Sequence, residues 1–144
     1  MLVFIALREQ DLPSWAGGQP LGPVPGFAVT AAMVRAFGFD GPTDEAAEYT
    51  ALNICGLAGL LRNGSRLVAV VEAEVDQTDD EFGETLTGLV DYHAVTALFA
   101  PAIADPDFSG MSLADAWDDP DVQEAITANP LGWYAPSEWN TLAP

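Results

Sequence analysis

Residues 43–75 read TDEAAEYTALNICGLAGLLRNGSRLVAVVEAEV, a helix, a stop and a strand in immediate succession. Thr43 is placed to cap the helix, and Asp44 and Glu45 fall in its first turn, where the helix dipole favours anions. Asn63-Gly64 supplies a left-handed stop, so the helix is expected over 44–62. Its apolar residues, from Ala46, Ala47 and Tyr49 through Leu52, Ile54, Cys55 and Leu57 to Leu60 and Leu61, spread around most of the circumference. Gly56 and Gly59 admit another backbone at close range. Such a helix is covered on more than one side, which predicts that it lies under the loop-rich N-terminal segment or in a dimer interface. In the strand Arg66 to Val75, Leu67, Ala69, Val71, Ala73 and Val75 form one apolar face, while the other passes from Val68 and Val70 to Glu72 and Glu74. Leu52 and Val71 are therefore expected in the core.

Outward from this centre, Val3 to Leu7 is continuously apolar, the pattern of a central strand covered on both faces. Residues 13–26 carry four prolines and four glycines and read as a loop, with a helical turn near Asp11 to Trp15. Phe27 to Thr30 reads as a short strand, and Ala31 to Phe37 as a helix stopped by Gly38. Asp76 to Glu84 reads as an exposed turn or long hairpin loop. A strand beginning near His93 and covering Ala94 to Ala100 stops at Pro101. Residues 101–111 look irregular. Ser112 opens a short helix through Trp117, and Asp119-Pro120 opens another that Asn129-Pro130 ends. Trp133, Tyr134 and Trp139 are expected to clasp the tail onto the body. The element order predicts an α/β fold, a two-layer sandwich around a mixed sheet of four or five strands, with 1–144 as a single domain.

The charge is lopsided. The chain has twenty-two Asp and Glu, no lysine and four arginines, giving a net charge of −18. Arg8, Arg35, Arg62 and Arg66 all lie in the first half, while residues 67–144 hold sixteen acids and no base. Direct binding to nucleic acid phosphates is thereby disfavoured, as is an anionic membrane surface. No apolar run approaches the roughly 20 residues of a membrane span. The opening Met1 to Leu7 lacks a basic flank and reads as a strand rather than a signal peptide. A cytoplasmic setting is expected, and the single Cys55 suits a reducing one.

Signals for catalysis are sparse. His93, the one imidazole, shares a strand face with Val95, Ala97 and Phe99 and reads as structural, and Cys55 reads as a core residue. There is no G-x-S-x-G elbow, P-loop or dinucleotide fingerprint. One Cys and one His cannot build a zinc site, and the acidic segments lack the calcium-loop pattern. No catalytic residue, metal ligand or cofactor is assigned. A small hydrolase-type enzyme built on buried carboxylates remains one alternative, for which Glu72, Glu74 and Asp91 have apolar neighbours. Charge serving solubility only is another.

The preferred reading is a non-enzymatic acidic interaction protein that docks a basic partner. Its face would be formed by Glu72, Glu74, Asp76, Asp79, Asp80, Glu81 and Glu84 converging with Asp115, Asp118, Asp119, Asp121 and Glu124, the arginines lying elsewhere. A homodimer stays open. Averaged over the surface of a chain this size, one net charge falls on roughly 400 Å², about a quarter of the density on duplex DNA, so such a face requires focusing.

Phe27-Ala28-Val29-Thr30, Asp44-Glu45 followed by Glu48-Tyr49, the strand Arg66 to Val75, and Gly132-Trp133-Tyr134 with Ser137-Glu138 resemble a family of short actinobacterial proteins known only as a domain of unknown function. The resemblance touches most of the chain. It departs where such proteins often have a proline after Ala-Val-Thr and an acid after the His-containing strand; Ala31 and Ala100-Pro101 stand here instead. It implies no activity, so no catalytic residue is carried over. The lack of lysine and the richness in Ala, Asp and Gly suit a high-GC genome, a compositional source for the charge.

Overall fold

The computed structural model describes residues 1–143. A sheet of six strands runs through it: β1 Leu2–Ala6, β2 Pro25–Ala28, β3 Val68–Glu72, β4 Glu84–Leu86, β5 Val95–Pro101 and β6 Leu131–Tyr134. Their order is β4-β2-β1-β3-β5-β6, and every neighbouring pair is antiparallel. The helices are α1 Leu12–Ala16, α2 Ala31–Phe37, α3 Glu45–Asn63, α4 Leu113–Asp118, α5 Pro120–Ala128 and α6 Trp139–Leu142. The α/β class holds. The sheet exceeds the four or five strands expected, and none of its pairs is parallel, as a mixed sheet would allow.

β1 and β3 lie at the centre with both faces buried. On one face Val3, Ile5, Ala69, Val71 and Leu98 pack against Leu12 and Trp15 of α1, Val90, and Trp139 and Leu142 of the tail. On the other, Phe4, Phe27, Val68 and Val70 meet Met33 of α2 and Leu52, Ile54, Cys55 and Ala58 of α3. The alternation read from β3 decides which residue goes to which face.

The α3 helix starts one residue later than expected. Asp44, not Thr43, caps it, its Oδ1 accepting from the Ala46 amide at 2.8 Å, and Gly64, with φ 84°, stops it. Its inner side lies over β1, β2 and β3. Gly59 permits this, since a Cβ there would sit 2.8 Å from the Ser65 carbonyl oxygen and 3.3 Å from Ala6 Cβ. The outer side is covered by α4 and α5, where Leu57 and Leu60 meet Ala116 and Val122. That cover comes from later helices of the same chain and not from the N-terminal loop, which corrects the expectation.

β3 ends at Glu72 rather than Val75, where the side chains turn outward. Residues 73–83 then form no hairpin. They cross to the far edge, where β4 pairs with β2. At the end of this crossing Gly83 has φ 78°, and a Cβ on it would collide with the Ala28 carbonyl oxygen. His93 belongs to a 3-10 turn, Tyr92–Ala94, ahead of β5 and not to the strand, so it is exposed. The tail is also more regular than expected, because Leu131–Tyr134 adds β6 to the sheet. Tyr134 and Trp139 pack on the body, but Trp133 is 61% exposed. Its place across from Phe99 puts it on the helix side of the sheet, beyond the strands that α3 covers.

Candidate interaction surface

The acidic crossing is held in place by some of its own carboxylates. Glu72 lies 3.1 Å from the Met1 amino group. Asp80 Oδ2 accepts from the Phe82 and Glu84 amides at 3.1 and 2.9 Å, which tightens the turn into β4. Glu84 takes both ends of the Arg62 guanidinium at 2.7 and 2.9 Å, and that guanidinium lies over the Phe27 ring at 5.8 Å. The Glu84 carboxylate raises the Arg62 pKa above its usual value. One arginine therefore sits inside the acidic segment, contrary to the expected segregation. Glu74, Asp76, Asp79 and Glu81 remain exposed, without an ion pair among the described residues.

The second segment behaves similarly. Asp119 is consumed as the α5 cap, its Oδ1 accepting from the Asp121 and Val122 amides at 2.8 and 3.3 Å. Asp115, Asp118, Asp121 and Glu124 face solvent.

What joins the segments is aromatic. Phe82, next to Glu81, meets Trp117, next to Asp118, with ring centroids 6.4 Å apart and planes at 72°. Phe37 touches both rings at 6.1 and 6.2 Å, and Phe39, next to Asp40, stacks on Phe37 at 6.0 Å. All four rings are half-buried. The Asp79 to Glu81 end of the crossing and the Asp115 to Asp118 helix thus meet across one cluster. Glu74 and Asp76 lie apart from it, beside Leu86 and Gly88 toward the other end of β4. Sequence reasoning found the acids and missed the rings, whose signal was an aromatic placed directly beside an acid in each segment.

The buried carboxylate is not among those expected. Glu72, Glu74 and Asp91 are exposed, whereas the side chains of Asp105 and Arg66 are 1% and 2% exposed. Arg66 Nε and Nη2 donate to Asp105 at 2.7 and 2.8 Å, and Arg66 also donates to the Asn129 carbonyl. Asn129 Nδ2 completes the cluster by donating to Asp105 Oδ1 and the Ile103 carbonyl, both at 3.0 Å. The cluster borders a cleft of about 410 Å³. With both its oxygens engaged, Asp105 acts as a clamp. The available cue was Arg66 itself, the one arginine opening an apolar strand, since a guanidinium carried into the interior requires a carboxylate.

Cys55 is fully buried, and burial pushes its thiol pKa up. His93 faces a shallow depression beside Asp91 and Tyr92. Among the described residues no group of three or more His, Cys, Asp or Glu could hold a metal ion, and no helix is long and apolar enough to cross a membrane.

The model of a family of unknown function, DUF6912, matches residues 1–143. No curated protein matches the chain. No solved structure does either.

Proposed function

We propose that this chain, which belongs to the DUF6912 family, is a non-enzymatic acidic interaction protein that docks a basic partner where its two acidic segments meet. The observation that carries the reading is the contact of Phe82 with Trp117, two half-buried rings whose neighbours in sequence, Glu81 and Asp118, are exposed acids of the two segments. Carboxylates attract a cationic partner over about a Debye length, roughly 8 Å at physiological salt. The rings then receive the faces of arginine or lysine side chains, a cation–π contact of about 0.5–1 kcal/mol at exposed sites. The partner is thus a protein with a basic segment, met in a cytoplasmic setting. An actinobacterial source fits the same picture and accounts for the missing lysines. A hydrolase reading has no free buried carboxylate to use among the described residues, since Asp105 is fully engaged.

The test is binding of an arginine-rich polypeptide at low and physiological salt, by the native chain and by a variant carrying Asp79→Asn, Glu81→Gln and Asp118→Asn. Binding should weaken steeply with salt and drop in the variant. Salt-insensitive binding, or an unaffected variant, leaves the charge as a matter of solubility.

A further inference from the structure

The two outer strands of the sheet differ in how they meet solvent. At β4 the preceding crossing covers the backbone. The Glu84 amide donates to Asp80 at 2.9 Å, the Glu84 carbonyl accepts from the Thr78 hydroxyl at 2.7 Å, and the Thr85 hydroxyl reaches the Asp76 carbonyl at 3.0 Å. β6 pairs with β5 on one side and with no other strand among the described residues. Its middle residues, Gly132 and Trp133, are exposed.

β5 and β6 also lie in the uncharged part of the chain. No Asp, Glu, Lys or Arg occurs from Tyr92 to Ala104 or from Ala125 to Ser137. Beside β6 on the helix side lies an apolar groove of about 290 Å³, with Tyr49 and Leu52 of α3 along one wall, Phe99 and Trp133 along the other, and Val70 in the floor. Tyr49 and Trp133 are 66% and 61% exposed.

We propose that β6 is a self-association edge, where a second copy of this chain pairs its own β6 antiparallel to the first and joins two sheets into one. Charge selects that occupant. A chain of net charge −18 repels its copy across acidic faces and approaches it most easily where no carboxylate is desolvated or set against another. A basic segment, by contrast, finds no acid on β6 to pair with. Of the carboxylates around it, Glu48 lines the groove, Glu138 accepts from the Ala135 amide at 2.8 Å, and Asp105, bound to Asn129, is already engaged by Arg66.

Bare edges are ordinarily guarded by lysine, bulges or cover. Here only Pro130 and Pro136 stand near the ends of β6, and they limit the pairing to its four residues. A two-fold axis normal to the sheet keeps each face turned the same way. Both Trp133 rings then emerge on the helix side of the joined sheet, next to the grooves. Such an interface is isologous and stops at two copies, because among the described residues each chain has one bare sheet edge to use and β4 is already strapped.

The test is sedimentation of the full chain over a range of concentrations at low and high salt, with Trp133→Lys and, at the other edge, Leu86→Lys. A dimer is expected whose fraction grows with concentration and with salt, because salt screens the repulsion between copies. Trp133→Lys should abolish it and Leu86→Lys should leave it intact. If Trp133→Lys does not fold by circular dichroism, Trp133→Thr takes its place. A monomer under all conditions, a dimer that survives the Trp133 substitution, a dimer that salt weakens, or growth beyond two copies each overturns the proposal. Basic-partner docking should persist in Trp133→Lys, so failure of either surface can be told from failure of the other.

Discussion

β4 and β6 end the same sheet with strands of three and four residues, yet they are fastened by different means. β4 is held from outside, by the Thr78 hydroxyl, the Asp80 carboxylate and the Asp76 carbonyl of the crossing that precedes it and by the partly exposed Arg62 pair. β6 is held from behind, by the Arg66–Asp105 clamp that fixes Asn129 two residues before the strand begins. A strap occupies the outer backbone of a strand, whereas a clamp leaves it open. A short edge strand thus owes its place to groups elsewhere in the chain, and their position decides whether the edge can meet another chain.

The largest effect should come from breaking the clamp. Asp105→Ala leaves the buried Arg66 guanidinium unpaired and should cost about 3–5 kcal/mol in urea denaturation. Hydrogen exchange should rise at Leu131 to Tyr134 before it rises at Glu84. The reverse order would show that the clamp does not hold β6. Leu52→Ala, which opens space in the core between α3 and the sheet, should cost about 2–5 kcal/mol. That loss belongs to the shared core, so protection at both edges should fall together and the contrast between them should persist.

Asp80→Ala removes the carboxylate that accepts from two amides and should cost about 1 kcal/mol. Exchange should quicken at Phe82 and Glu84 and stay unchanged at β6. The smallest effect concerns Cys55, which lies under the sheet between the two edges. Burial holds its thiol pKa above the ordinary 9.0, so below pH 9 the thiol is neutral in both folded and unfolded chains and stability is unaffected. Above that pH the unfolded chain ionises and the folded one does not, so stability declines. Cys55→Ala should flatten this alkaline limb in thermal melts, leaving the same-signed contribution of Tyr92, whose phenol burial also raises.

Much of the centre was legible from local signals. The Gly64 stop, the Ser112 cap, Asp119-Pro120 and the alternation of β3 each act within a few residues, and the structure places each where it was read. The Asp44 cap was misplaced by one residue because Thr43 offered an equivalent oxygen. The edges were not legible. β4 exists because β2, far back in the chain, pairs with it through Pro25, Gly26 and Phe27, and three residues amid acids carry no period of their own. β6 was hidden by Gly132 and by aromatics whose hydrophobicity argued for burial, although an edge offers Trp133 nothing to lie under. At the candidate surface the acids were visible, but the Phe82–Trp117 contact and the Arg66–Asp105 pair depend on chain segments that meet only after folding.

Gly83 gives the acidic surface an uneven tolerance to substitution. Asp79 and Glu81 point into solvent and can change identity without altering the course of the chain. Any side chain at Gly83 would run into the Ala28 carbonyl oxygen. A saturation scan across 79–83 should accept most replacements at the two acids and reject them at the glycine. The fold leaves the charge on display to be set by whatever it binds, while it holds the uncharged residue that steers the crossing into β4 by itself.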